Sequence, residues 1–233
     1  MYTKRTLVIS DIHGCIKPFL QLINEVNYKP HKDSLILLGD YVDRGPDSRL
    51  VVEEVKRLVR EDGAIALQGN HDERFVEVVN AENPLVSEKF MTHGGQQTME
   101  SYAGAGAMLE AFRQVVSSRY ADHLTFMNGL PYYYEDDHFI YVHAGIHPRY
   151  ADNWKEQPKR DFLYRKEPFL SQPTATGKTV IFGHTRTSEL HGKPDVWFGE
   201  GKIGIDGGCA YGQQLNALVI YGPDHMEICA VPA

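Results

Sequence analysis

The chain has 233 residues, 42% of them hydrophobic and 24% charged, which is the composition of a globular protein with its own core. The 24 Lys and Arg against 31 Asp and Glu give a formal charge of -7, which argues against a nucleic-acid partner. No apolar run reaches the ~18 to 20 residues that span a bilayer, so we expect no membrane partner. Three widely spaced cysteines without a C-x-x-C pair suggest no disulfide framework and favour a cytoplasmic protein.

From residue 5 to about 80, short apolar runs alternate with helical patterns. The apolar runs predict strands over 5–10, 34–38 and 64–67. Apolar residues at helical spacing predict helices over 16–26 and 46–60. This alternation is typical of a layered α/β fold.

The stretch from about 76 to 127 has a different pattern, mostly polar and helical, with glycine breaks at 94–95 and 104–106. We interpret it as a helical insertion. Strand patterns then return over 132–135, 138–143, 179–182, 196–198, 203–205, 215–221 and 226–231. Because no repeat or flexible linker separates these regions, we predict a single domain over residues 1–233.

A polar cluster follows each of five predicted strands. The clusters are Ser10-Asp11-Ile12-His13-Gly14, residues 39–45, Gly69-Asn70-His71-Asp72, His143-Ala144-Gly145 and Gly183-His184-Thr185. The carboxyl ends of strands in an open α/β sheet line one crevice, so we expect these side chains to converge. The candidate metal ligands are Asp11, His13, Asp40, Asn70, His143 and His184.

The donor types indicate which ions this site would hold. Three imidazoles, two carboxylates and one amide oxygen suit manganese, iron or zinc better than calcium. Six donors exceed what one tetrahedral ion takes, whereas two ions sharing Asp40 would use them all. For any one cluster taken alone, a turn or a helix cap is the favoured explanation, and Asp11 and Asp43 could each cap the helix that follows. Recurrence after five strands favours the metal site.

These motifs resemble those of the phosphoprotein phosphatase family of calcineurin-like metallophosphoesterases, in particular its small bacterial serine/threonine phosphatases. The family motifs G-D-x-H-G, G-D-x-V-D-R-G and G-N-H-E match residues 10–14, 39–45 and 69–72, except for Ser10 in place of Gly and Asp72 in place of Glu. Later H-A-G and G-H motifs match at His143 and His184. The resemblance implies two mixed β-sheets packed as a sandwich and flanked by helices.

The resemblance also implies a dinuclear centre. It assigns Asp11, His13 and Asp40 to one ion and Asp40, Asn70, His143 and His184 to the other. Manganese is the ion it favours, with iron or zinc as alternatives. Two such ions lower the pKa of a bridging water, which can then attack phosphorus in line without a covalent intermediate.

Further side chains receive roles in binding and proton transfer. The planar guanidinium of Arg44 can grip two phosphate oxygens, and Asn70 is placed at the phosphate as well. A short match to the family places Arg165 as a second phosphate ligand. We assign His71 as the general acid, oriented by Asp43, with metal ligation by His71 as the rival assignment.

The function predicted is that of a metal-dependent phosphomonoesterase, a stand-alone bacterial serine/threonine protein phosphatase acting on phosphorylated proteins. The alternative is a symmetrical diadenosine tetraphosphate hydrolase, which releases ADP. An inactive phosphate-binding module would lack a ligand or the acid, and none is missing here. The segment 94–98 either faces the substrate or begins a helix, and Tyr211 is given no role.

Overall fold

The computed structural model describes residues 5–81, 83–174 and 176–233. The strands are β1 (Arg5–Ile9), β2 (Asp33–Leu37), β3 (Ile65–Ala66), β4 (Tyr133–Glu135), β5 (Phe139–Val142), β6 (Thr179–Phe182), β7 (Trp197–Gly199), β8 (Lys202–Gly204), β9 (Gln214–Gly222) and β10 (His225–Pro232). The α-helices are α1 (Ile16–Glu25), α2 (Ser48–Asp62), α3 (Asn70–Asn80), α4 (Pro84–Thr92), α5 (Gly95–Ala103), α6 (Leu109–Arg119), α7 (Ala121–Asn128), α8 (Lys159–Tyr164) and α9 (Thr187–His191). Short 3-10 segments cover Pro148–Glu156 and Cys209–Tyr211.

Within the described ranges the strands form two mixed five-stranded sheets. The first has the order β10-β9-β1-β2-β3, in which β1, β2 and β3 are parallel and β9 and β10 are antiparallel to their neighbours. The second has the order β4-β5-β6-β8-β7, with parallel central strands and antiparallel edges. The predicted α/β class with two mixed sheets is therefore confirmed.

The period-two alternation of strand side chains divides the core into layers. In β1, Val8 belongs to an apolar cluster that joins the facing sides of both sheets. Its neighbours Leu7 and Ile9 point the other way, into a cluster shared with the helices beside the first sheet. On the far side of the second sheet, Phe182 packs with Phe162 and other buried residues. Nearly continuous apolar runs in the sequence follow from burial of both faces.

Helices α4 to α7 occupy the region predicted as a helical insertion. They pack through an aromatic cluster in which the ring of Phe112 lies 5.8 Å from Phe75 of α3 and 5.9 Å from Tyr102 of α5. These contacts fix α5, which carries Thr98, against α3, which carries Asn70 and His71. No helix in the described ranges combines the length and the apolar character required to cross a bilayer.

The predicted bounds differ most at α2, which begins at Ser48 rather than at residue 46. The preceding turn is held by the backbone, since Gly45 N–H donates to the carbonyl of His13 and Asp47 N–H donates to that of Gly14, at 2.9 and 3.0 Å. Helices α8 and α9 were not predicted. With six and five residues they are too short to show a helical apolar period.

Candidate metal centre and active site

The six predicted metal donors lie together at the carboxyl ends of β1, β2, β5 and β6 and at the start of α3. Asp40 is central. Its Oδ2 lies 3.4 Å from Nε2 of His13, and its Oδ1 lies 3.5 Å from Nε2 of His143. The side chains form two groups, and within each group all the ligand atoms lie within 4.8 Å of one another; Asp40 belongs to both groups. The groups are His13, Asp40 and His71, and Asp40, His143 and His184.

The backbone of this site is held in an unfavourable conformation. In the described chain, eight non-glycine residues have a positive φ, and six of them belong to the site. They have φ values between 45° and 72° and are Asp11, His13, Asp40, Asp43, Arg44 and His184. Each such residue costs about 1–3 kcal/mol, so the surrounding fold compensates for the strain that aims these side chains.

The hydrogen bonds of the imidazoles show that the donors fit metal ions. Nδ1 of His13 donates to the Val42 carbonyl at 2.7 Å, and Nδ1 of His143 donates to the Leu38 carbonyl at 2.9 Å. Each ring therefore presents the lone pair of Nε2 to the site, as ligating histidines do. Nε2 of His143 then faces Oδ1 of Asn70 at 3.0 Å. A divalent ion bound between these two acceptors would satisfy both, so the residues fit such ions.

The protonation preferences agree with this fit. Burial raises the pKa of Asp40 to about 7, against the opposing charge of Arg44, and raises that of Asp11 to about 6. Burial also lowers the pKa of His13, His143 and His184, which keeps these rings neutral. Neutral imidazole is the ligating form, and a bound cation would favour the ionised carboxylates.

His71 and Asp43 form a buried pair beside the donors. Nδ1 of His71 lies 2.6 Å from Oδ2 of Asp43, and Nε2 of the same ring lies 2.9 Å from Nη2 of Arg44. Burial raises the pKa of Asp43 to about 7, while the Thr98 hydrogen bond and the charge of Arg74 act in the opposite direction. Nε2 of His71 also lies 4.0 Å from Oδ2 of Asp40, a distance at which one metal ion could bind both atoms. The metal content of a His71→Asn variant distinguishes this role from that of a general acid.

A family model described as calcineurin-like phosphoesterase matches residues 4–224. The chain belongs to the calcineurin-like phosphoesterase family. The predicted superfamily is thus confirmed.

Two bacterial relatives of this phosphoesterase are similar in sequence. An asymmetrical bis(5'-nucleosyl)-tetraphosphatase PrpE of Anoxybacillus flavithermus is 26% identical, over 97% of this chain and 93% of its own. A symmetrical bis(5'-nucleosyl)-tetraphosphatase of Aromatoleum aromaticum is 29% identical, over 70% of this chain and 50% of its own.

Two solved structures have a similar fold. A protein assigned provisionally as a diadenosine tetraphosphatase has a TM-score of 0.70 and 26% identity, covering 99% of this chain and 94% of its own. A serine/threonine phosphatase of Saccharomyces cerevisiae similar to human PP5 has a TM-score of 0.63 at 14% identity, covering 100% of this chain and 81% of its own. At that identity the second likeness concerns the fold alone.

The segment 94–98 of this phosphoesterase supports the catalytic motif. Gly94, at φ 95°, accepts a hydrogen bond from Arg44 N–H at 3.0 Å, and a Cβ at Gly94 would lie 2.7 Å from that nitrogen. Thr98 donates to Oδ1 of Asp43 at 2.7 Å and accepts from Asp43 N–H at 2.8 Å. Helix α5 begins at Gly95. The segment therefore starts a helix, and its hydrogen bonds also hold Arg44 and Asp43 in position.

Replacing Thr98 with Val is expected to lower kcat at pH 7 about tenfold, since the loss of a hydrogen bond to a buried charge costs about 1.5–3 kcal/mol. The hydroxyl holds the pKa of Asp43 down, so its removal raises that pKa further. Asp43 then ionises only at higher pH, and the acidic limb of the kcat profile moves upward. Thr98→Ser keeps the hydroxyl and should retain the wild-type profile. An unshifted limb in Thr98→Val would contradict the role given to Thr98.

A cleft of about 350 Å³ opens onto the donors and includes Asp40, Asn70, His71 and His184 in its wall. Its basic side chains are Arg44, Arg74, Lys89, Arg160, Lys166 and Arg186, against the acidic Asp40, Glu189 and Asp206. Tyr211 lies at the rim, with its ring 5.1 Å from the Arg44 guanidinium and 4.3 Å from that of Arg186. The cleft is thus strongly cationic in a chain of net negative charge.

The structure does not bring Arg165, predicted as a phosphate ligand, to this cleft. Its guanidinium pairs with Asp161 and donates to the Glu167 carbonyl at 3.1 Å. The adjacent Lys166 lines the cleft instead. Arg165 is the C-cap of α8, and its contact with Asp161, four residues earlier, holds the guanidinium along the helix and away from the cleft.

Asp72 has a positioning role that the sequence did not reveal. Its carboxylate accepts hydrogen bonds from the N–H groups of Asp40, Tyr41 and Gly69 at 2.8, 2.9 and 2.8 Å. These contacts tie the strained turn at Asp40 to the start of α3. The sequence showed only that Asp72 takes the place of Glu in the 69–72 motif, and it did not show which groups its carboxylate binds.

Proposed function

We propose that this phosphoesterase hydrolyses dinucleoside tetraphosphates. The observation that supports the proposal is the cleft beside the metal donors, in which six Arg and Lys face three acidic side chains. A phosphomonoester presents one phosphate, which Arg44 and the metals can hold alone. A polyphosphate carries a negative charge on each phosphate, and such a chain matches an extended cationic lining.

The relatives support the same choice. The PrpE protein of Anoxybacillus flavithermus, named a bis(5'-nucleosyl)-tetraphosphatase, aligns with nearly the whole chain. The structure assigned as a diadenosine tetraphosphatase aligns as completely. These findings favour the alternative drawn from the sequence over the serine/threonine protein phosphatase that was preferred there. They also introduce asymmetrical cleavage beside the symmetrical cleavage expected from the motifs.

We assign the following roles in this hydrolysis to the side chains of the site. Asp11, His13, Asp40, Asn70, His143 and His184 would hold divalent ions, which we propose are manganese, and such ions would supply positive charge for the phosphate oxygens and lower the pKa of a water. Arg44 binds the phosphate being cleaved through its planar guanidinium. Burial and the charge of Arg44 lower the pKa of His71, so the ionised Asp43 at Nδ1 has to favour the doubly protonated ring. That ring then delivers the proton on Nε2 to the leaving group.

Hydrolysis by the manganese-loaded protein should be compared on diadenosine tetraphosphate, a phosphoanhydride, and on a phosphothreonine peptide, a phosphate ester, at matched concentrations. We expect the larger kcat/KM for the dinucleotide. Two ADP molecules identify symmetrical cleavage, and ATP with AMP identifies asymmetrical cleavage. A larger kcat/KM for the peptide would restore the protein phosphatase hypothesis. The metal-free protein is the control in both assays.

A further inference from the structure

Arg74 is a buried cation that the catalytic assignments above leave without a task. It lies on α3 one turn after His71, so the two side chains leave the same face of the helix. Only 6% of Arg74 is exposed, and its Nη1 is buried without a hydrogen-bond partner among the residues that the structure describes. Leaving a buried charged donor unpaired is costly, so a protein retains one where a ligand completes it.

Arg74 stands where the active-site cleft meets a second cleft. The second cleft has a volume of about 390 Å³, and Arg74, Lys89, Arg160 and Tyr164 belong to both walls. The exposed Leu85 adds an apolar surface on the far side. A ligand bound at the metal donors can therefore extend past Arg74 into this second space.

The acidic side chains of the second cleft do not neutralise Arg74. The carboxylate of Glu73 lies 2.9 Å from Nζ of Lys159 and accepts a hydrogen bond from the Tyr164 hydroxyl at 2.9 Å. Glu77 also lines the cleft, where the three cations Arg74, Lys89 and Arg160 outnumber the two carboxylates Glu73 and Glu77. Positive charge therefore remains available at the junction, supplied by Arg74 with the exposed Lys89 and Arg160.

We propose that Arg74 binds the phosphate next to the one being cleaved, and that the substrate continues past it into the second cleft. The proposal rests on the proposed function for the identity of that substrate. It makes Arg74 a specificity residue, which favours chains of phosphates over single phosphates. An arginine suits this position because its fork of donors can hold two phosphate oxygens.

The test measures the dissociation constants of orthophosphate and of inorganic tripolyphosphate for the manganese-loaded protein by calorimetry. Free manganese is held equal in both solutions because tripolyphosphate chelates divalent ions. In Arg74→Met we expect the constant for tripolyphosphate to rise about 10-fold to 100-fold, the loss typical of a hydrogen-bonded charge. The constant for orthophosphate should rise far less, since that ion fits the site beside the metals without reaching Arg74.

Two further variants keep the test decisive. Arg60→Met removes an equal charge from the exposed end of α2, outside the clefts, and should change neither constant. Arg160→Met alters an exposed side chain at the same junction and should raise the tripolyphosphate constant even if Arg74→Met does not fold. An equal rise for both anions, or no rise for tripolyphosphate, overturns the proposal. Selectivity for tripolyphosphate in a protein that cleaves no dinucleotide would overturn the proposed function alone.

Discussion

Replacing Asp40 with Asn is expected to abolish turnover and to reduce the bound metal. The carboxylate lies 3.4 Å from Nε2 of His13 and 3.5 Å from Nε2 of His143, and it is the member common to both groups of donors. An amide offers one neutral oxygen and cannot serve both groups. Because metal ions contribute several kcal/mol to the transition state, kcat should fall at least about 10³-fold. Steady-state kinetics and elemental analysis of the same sample measure both effects.

Asp122→Asn is the matched control for this change. Asp122 is exposed on α7, pairs with Lys56 and lies outside the cleft, so activity and metal content should stay at wild-type values. Circular dichroism shows whether Asp40→Asn still folds. A folded Asp40→Asn protein with full metal content and wild-type kcat would exclude Asp40 as the shared ligand.

The fold and the convergence of the candidate donors could be predicted from the sequence because both follow from local pattern. Buried runs such as 7–9 and 35–37 mark parallel strands, and parallel strands end at one edge of a sheet. Polar motifs that follow these strands therefore lie at the same edge of the sheet. Asp11, after β1, and Asp40, after β2, both lie at that edge. The structure also confirms the predicted sandwich of two mixed sheets.

The cationic lining could not be predicted in the same way. Arg74, Lys89, Arg160 and Arg186 lie on or beside four different helices, and none of the motifs identified in the sequence includes them. On a helix such a residue usually faces solvent. Only the packing of the helices over the sheet edges brings these four together. Sequence motifs thus predicted the metal donors and the phosphoesterase family, and not the cationic surface that we propose selects the substrate.

The tertiary contacts of the motif residues could not be predicted from the sequence either. Thr98 contacts Asp43 across 55 positions of chain, and this contact depends on how α5 docks beside α3. Nothing in the pattern of residues 94–98 pointed to that contact. The left-handed conformation at Arg44 is likewise imposed by tertiary contacts, since an arginine rarely adopts it.

Replacing His71 with Asn is expected to lower kcat about 10²–10⁴-fold, the range typical of general acid catalysis, while metal content stays intact. The ring is suited to proton delivery because Nδ1 is held by Asp43 at 2.6 Å and Nε2 faces the cleft. Asp43→Asn should lower kcat in the same direction, because it removes the group that orients the ring. Metal analysis distinguishes the two roles, since loss of metal in His71→Asn would make His71 a ligand.

The size of the His71→Asn effect should depend on the leaving group. An alkyl phosphate expels a basic alkoxide and needs the proton, whereas nitrophenolate leaves readily without it. The leaving group from a dinucleoside tetraphosphate is a nucleotide phosphate, which is far less basic than an alkoxide. The variant should therefore lose most activity on alkyl phosphates and less on nitrophenyl phosphate and on the dinucleotide. Equal losses on all three substrates would mean that His71 acts before the bond to the leaving group breaks, by positioning the phosphate through Arg44 at 2.9 Å.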